Sequence, residues 1–279
     1  MSGLIIVNKP GGYTSRDVVN IISREFHEKK VGHTGTLDPM ATGVLVICLG
    51  KYTKLVDMLS SLDKEYIAEI KLGILTDTLD ITGNVLKKEE VHLTKAQILK
   101  AFSKFTGEYL MEVPKYSAIK VDGKKLYEYA REGIDVKLPV KKVQVYELEL
   151  LSFYHDTIRF RCRVEKGTYI RSLIRDMMKY LGVIGTMSNL MRTAQGKFRI
   201  EEACSLDDIK KHQFKLLQIK DVLDIPVYHL NDWEYERVSH GNKMSFDNSK
   251  DMLLLLYQNR EVAIYKKDEK LYKPKVMLI

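Results

Sequence analysis

Gly32-His-Thr-Gly-Thr-Leu-Asp-Pro-Met-Ala-Thr-Gly43 is the stretch on which the reading of this chain turns. Three glycines and a proline impose an irregular backbone, and His33, Thr34, Thr36, Asp38 and Thr42 make it polar. A long polar loop between a helix and an apolar strand is a common place for a functional group held on a rigid frame. The same composition also serves a plain turn whose Thr and Asp side chains bond their own backbone. Asp38 is the only acid in the loop. One carboxylate can act as a nucleophile or a general acid–base. A glycosidase needs two, and no partner stands nearby in sequence.

Working outward, residues 4–7 read as a strand and residues 8–12 as a turn. A helix follows, with Thr14 and Asp17 at capping-box spacing and Val18, Val19, Ile21, Ile22 and Phe26 as its apolar stripe. Beyond the loop, the apolar run 44–49 reads as a buried strand. Residues 64–72 alternate, with Tyr66, Ala68, Ile70 and Leu72 on one face. Residues 94–105 are helical in pattern, and Ile98, Leu99, Ala101, Phe102 and Phe105 are expected to point inward. Two further β runs, 143–151 and 157–164, precede a helix expected to start near Thr168, with Ile170, Leu173, Ile174, Met177 and Leu181 as its stripe. After Pro226 the texture changes to short strands and turns. The expected fold class is α+β: a mixed, largely antiparallel sheet flanked by helices in residues 1–225, then a small β-barrel-like domain in 226–279.

Composition bounds the function. The chain has 279 residues, 45% apolar and 29% charged, an ordinary globular balance. No apolar run approaches the ~20 residues that span a bilayer, and the N-terminus has no signal-like region. Cys48, Cys162 and Cys204 are scattered, and the seven histidines form no HxH or HExxH pattern. The expectation is a reducing cytoplasm with neither a disulfide framework nor a structural metal. The net charge of +8 tilts the chain toward a polyanionic partner. Residues 1–225 carry +7 of it.

Nucleotide motifs are missing. Gly50-Lys51 is followed by Tyr52, and Leu45 stands where a P-loop needs its first glycine. No GxGxxG follows a strand, and no GxSxG elbow exists. Tyr66, on the apolar face of its strand, is either a core tyrosine or a ring facing a cleft. Arg171 falls in the first turn of a helix, where the dipole disfavours a cation by ~0.3–1 kcal/mol. A local carboxylate such as Glu165, or a bound phosphate, could offset that. Arg175 beside Asp176 reads as a surface ion pair. Arg159, Arg161 and Arg163 form either a solvated strand face or a phosphate-tracking one. Residues 112–142 hold eight Lys/Arg against five Asp/Glu and interleave them with Tyr116, Tyr127 and Tyr129. That mixture suits RNA, and equally a basic amphipathic surface.

Taken together, five segments resemble the bacterial tRNA pseudouridine-55 synthase (TruB) family. They are residues 32–45, Lys64-Glu-Tyr66, Thr76-Asp-Thr-Leu-Asp80, Tyr116-Ser-Ala118 with Leu126-Tyr-Glu-Tyr-Ala-Arg131, and Lys166-Gly-Thr-Tyr-Ile-Arg171, in the family's order over residues 1–205. The resemblance implies that Asp38 is the catalytic aspartate attacking the target nucleoside. It implies that Tyr66 stacks on the base and takes part in proton transfer, and that Arg171 pairs with the carboxylate. His33 would enter the space left by the flipped nucleotide, Asp80 would contact the target base, and Leu190 would line the pocket. Residues 112–142 look like the family's RNA-gripping insertion, and 226–279 resemble its small PUA-type RNA-binding domain. The implied partner is tRNA through its T-arm, without cofactor, nucleotide or membrane, acting as a monomer. Read without the family, His33, Asp80 and Leu190 are each bland structural positions.

This chain departs from the family pattern at Met40, where leucine is usual, and at Val113-Pro114 in place of Pro-Pro. Met191-Arg192 replaces Arg-Arg after Leu190, removing one possible phosphate contact. The competing readings are a non-catalytic tRNA-binding module or RNA folding chaperone, and a nucleotide-dependent or hydrolytic enzyme acting on RNA.

Overall fold

The computed structural model describes residues 1–279. Strand β1 (Gly3–Lys9) turns into α1 (Ser15–Glu25), where Thr14 and Asp17 exchange both bonds of a capping box. β2 (Val31–His33) and β3 (Thr42–Leu49) flank the polar loop. The irregular part is therefore only residues 34–41, because β2 pairs antiparallel with the end of β3 and draws Val31–His33 into the sheet. A 3-10 helix (Gly50–Leu55) and α2 (Val56–Ser60) lead to β4 (Lys64–Leu72). A small hairpin, β5 (Ile74–Thr76) and β6 (Val85–Lys88), precedes α3 (Lys95–Phe105) and β7 (Gly107–Glu112). The basic segment folds as β8 (Lys120–Val121), β9 (Lys124–Lys125) and α4 (Leu126–Arg131).

β10 (Val140–Tyr154) and β11 (Thr157–Val164) form a long hairpin leading to α5 (Ile170–Leu181) and β12 (Gly185–Gln195). β10 outruns its apolar stretch at both ends, since one half pairs with β7 and the other with β11. β13 (Phe198–Arg199), α6 (Leu206–Lys210) and α7 (Ile219–Val222) close the large sheet. β14 (Val227–His229), α8 (Asp232–Ser239), β15 (Met252–Tyr257), β16 (Arg260–Asp268) and β17 (Leu271–Met277) complete the chain. No helix is long and apolar enough to cross a membrane.

The large sheet runs β1-β3-β12-β4-β11-β10-β7, with β2 on β3 and β13 on β12. Every pair is antiparallel except β3 with β12. The fold class is thus α+β with a mixed, largely antiparallel sheet. Burial explains the two kinds of strand sequence. β4 and β11 alternate because α3 and α5 cover one face only, packing on Ala68, Ile70, Ile158 and Phe160. β1 and β3 read as unbroken apolar runs because both faces are buried. Ile5, Val7, Leu45 and Ile47 pack on α1 and α6, while Leu4, Ile6, Val44 and Val46 share a core with Leu254, Ile264 and Val276 of the four-stranded C-terminal sheet. In α3, Leu99 does not point inward: it is 45% exposed, one position round from the buried Ile98–Ala101–Phe102 face.

The parallel strand pair of the large sheet, β3 with β12, is tight. Gly43 pairs with Arg192 and has φ +103°, and a Cβ there would lie 2.2 Å from the Arg192 carbonyl oxygen. Gly43→Ala should therefore cost about 3 kcal/mol or more, from backbone strain and separation of β3 from β12. The measurement is the urea midpoint; an unchanged midpoint would show that the crossing can relax.

Candidate active site

Asp38 is held at the centre of loop 34–41 by contacts on both sides. Leu37 N donates to Ser15 Oγ at 2.9 Å, and Ala41 N to the Asp38 carbonyl at 3.0 Å. Lys9 ends β1 fully buried, and its ammonium donates to the carbonyls of Pro10, Tyr13 and Pro39 at 2.8, 2.6 and 3.1 Å. Burial lowers the Lys9 pKa to about 8, with Asp38 opposing the shift and Arg192 adding to it.

Arg171 projects from the first turn of α5 and grips the Asp38 carboxylate with two bonds, Nε to Oδ2 at 2.9 Å and Nη2 to Oδ1 at 2.8 Å. The same guanidinium donates to the carbonyls of Thr78 and Tyr116, both at 3.1 Å. Its side chain is 6% exposed, that of Asp38 29%. The carboxylate that offsets the helix dipole is therefore Asp38, brought from 133 residues away, and not Glu165. Asp80 is a second one: its Oδ2 lies 4.0 Å from Arg171 Nε, while its Oδ1 accepts from Thr78 Oγ1, Thr82 N and Thr82 Oγ1.

Asp38 and Arg171 face a cavity of about 550 Å³, within the range of small-ligand sites. Its walls include Asp38, Tyr66, Tyr169, Ile170, Arg171 and Leu190. Tyr66 and Leu190 come from the neighbouring strands β4 and β12, in which Ala68 pairs with Leu190. Burial pushes the Tyr169 phenol up, with Arg171 opposing. His33 and Asp80 are not among the lining residues. His33 closes β2 and its Nδ1 accepts from Gly35 N at 3.3 Å; burial lowers its pKa, as do Arg16 and Arg192.

Other basic features fall into place as ion pairs. Arg159, Arg161 and Arg163 face Glu69, Glu149 and Asp63 at 3.6, 2.8 and 3.6 Å. Within the basic segment, Lys124 lies over the Tyr129 ring, and Lys125 and Arg131 over Tyr127. No group of three or more His, Cys, Asp or Glu side chains converges as a metal site.

Residues 23–170 match the N-terminal domain of the TruB family pseudouridylate synthases. The chain belongs to the TruB family. Among curated relatives, the tRNA pseudouridine synthase B of Hydrogenovibrio crunogenus is 38% identical over 285 residues, covering 99% of this chain and 93% of its own. That of Caldanaerobacter subterraneus is 42% identical over 272 residues, covering 95% and 94%. Among solved structures, a chain of a Cbf5–Nop10–Gar1 complex superposes with a TM-score of 0.75 at 25% identity, covering 99% of this chain and 85% of that one. A chain of an archaeal box H/ACA Nop10–Cbf5 complex gives 0.71 at 24%, which shows the shared fold.

Two groups of this TruB-family site are not apparent from the sequence motifs. Lys9 reads in sequence as part of a turn, and Arg192 carries no role there. In the structure Arg192 is 2% exposed. The available signal was its spacing: it stands two positions after Leu190 on a strand, hence on the same face as the pocket lining.

Proposed function

We propose that this chain is a tRNA pseudouridine synthase that converts the T-loop uridine at position 55, with Asp38 as nucleophile. Membership of a pseudouridylate synthase family makes it an isomerase, and its curated relatives are named for tRNA. The observation that carries the finer reading is the two-bonded Asp38–Arg171 pair in the wall of a cavity it shares with Tyr66.

The reaction detaches uracil from ribose at nitrogen 1 and rejoins it at carbon 5. Nitrogen 1 gains a proton and carbon 5 loses one, so no electrons are exchanged. Asp38 attacks the nucleoside, and its orientation is set before substrate arrives because Arg171 occupies both oxygens. The Tyr66 ring holds the base while it turns and its hydroxyl takes part in the proton transfer. Leu190 closes the apolar side, and Asp80, the residue proposed to contact the target base, also lies 4.0 Å from Arg171 Nε. A uridine stacked in a folded loop must be extruded, at roughly a few kcal/mol. Phosphate contacts from the basic insertion near 112–142 offset that cost, and His33 fills the space the nucleotide leaves. Residues 226–279 serve as a PUA-type RNA-binding unit beside the catalytic unit, 1–225; the four-stranded sheet order β14-β15-β16-β17 supports this reading.

The test is tritium release from a tRNA transcript labelled at carbon 5 of uridine, without ATP and with chelator. Release is expected, and is expected to stop when the T-loop uridine is replaced. Tight, salt-sensitive binding without release would instead establish a non-catalytic tRNA-binding module or RNA chaperone.

A further inference from the structure

We infer that Arg192 is a positioning residue for this reaction, tying the Asp38 loop and the Tyr66 hydroxyl into one rigid unit. The inference rests on the functional reading above. Arg192 sits inside β12 and uses four N–H groups. Nε donates to Tyr66 Oη at 3.3 Å, Nη1 to the carbonyls of Gly35 and Val44 at 3.2 and 3.1 Å, and Nη2 to the Thr36 carbonyl at 3.1 Å. All four acceptors are neutral. Its charged surroundings make the placement worse, because it helps to lower the pKa values of Lys9 and Lys64, both to about 8.

A buried cation bonded only to dipoles is expensive, and an apolar side chain would fill this strand position without that cost. What a guanidinium provides is a planar fork of donors that binds two chain segments at once. Here the segments are the backbone two and three residues before Asp38 and the start of β3 just after the loop. Arg171 grips the carboxylate from the α5 side; Arg192 grips the peptide carbonyls from the β12 side. The Tyr66 ring lies 5.5 Å from the Arg192 guanidinium carbon, so the same charge orients the ring and the hydroxyl. Displacing Arg192 would let the nucleophile and the tyrosine move independently, and misplacement of about 1 Å is enough to cost about 10²-fold in rate.

The experiment uses the full chain carrying Arg192→Lys, with Arg192→Gln as a second variant that removes the buried charge and keeps amide donors. Two quantities are read. The first is amide hydrogen exchange across residues 34–41, expected to accelerate at least about tenfold while β10 and β11 are unchanged. The second is the single-turnover rate at saturating tRNA, expected to fall about 10²-fold with tRNA affinity held within about threefold, because this side chain reaches no phosphate. Unchanged exchange across 34–41 overturns the inference, whatever the reaction is. A loss of affinity with the rate preserved overturns it in favour of RNA contact. Failure of both variants to fold overturns it in favour of a purely structural role. If the unaltered chain releases no tritium, the functional reading fails by itself, and the exchange data still decide whether Arg192 holds the loop.

Discussion

Asp38→Asn is expected to reduce turnover by at least about 10⁴-fold, the scale of removing a nucleophile, and to leave tRNA affinity within a few-fold. The substitution is isosteric, so loop 34–41 keeps its backbone contacts with Ser15, Lys9 and Arg192. The amide oxygen can still accept one Arg171 bond. The amide nitrogen faces the other donor, and the fork-to-fork geometry is lost. Arg171 stays anchored by the carbonyls of Thr78 and Tyr116, so the pocket survives. Removing one negative charge from the wall of an RNA site cannot weaken phosphate binding by repulsion. The assay pairs tritium release with filter binding of the same transcript. Retained turnover would remove Asp38 as nucleophile, and with it the mechanism.

Arg171→Ala is expected to lower turnover by about 10³-fold and stability by about 3 kcal/mol. The second figure is the lower end for breaking a buried ion pair, because Asp38 is itself partly exposed. Four interactions disappear together: both bonds to Asp38 and those to the Thr78 and Tyr116 carbonyls. The Asp38 carboxylate then loses its orientation, and Asp80 loses its only cation within 4.0 Å. Tyr116 lies at the foot of the basic insertion, so that segment also loses its tie to the Asp38 site. Affinity should fall less than turnover. A loss confined to affinity would mean that Arg171 only binds phosphate. Rates and urea midpoints measured together separate the catalytic loss from the stability loss.

The legible parts of this molecule were those whose cause is local. Thr14 and Asp17 have capping-box spacing, and both bonds of the box are formed. Alternation in 64–72 and 157–164 marks strands with one covered face, and the apolar run 44–49 marks a buried strand. Leu99 departs from the expected inward face for an equally physical reason: an apolar residue beside a helical stripe carries no mark of which side of the stripe the core lies on. The motif around Asp38, together with Tyr66 and Arg171, placed the chain in its family before any distance was known.

What the sequence by itself determined, then, is the family and those elements whose pattern is local, because periodicity, caps and motifs are written in neighbouring residues. Only the tertiary structure decided which charges meet. Arg171 could have answered to Glu165, a few positions away, and answers instead to Asp38, 133 residues distant. Lys9 and Arg192 lie far apart in the chain, yet converge beneath the same loop. A buried charge must find partners wherever packing brings dipoles together, and that convergence is a property of the folded sheet alone.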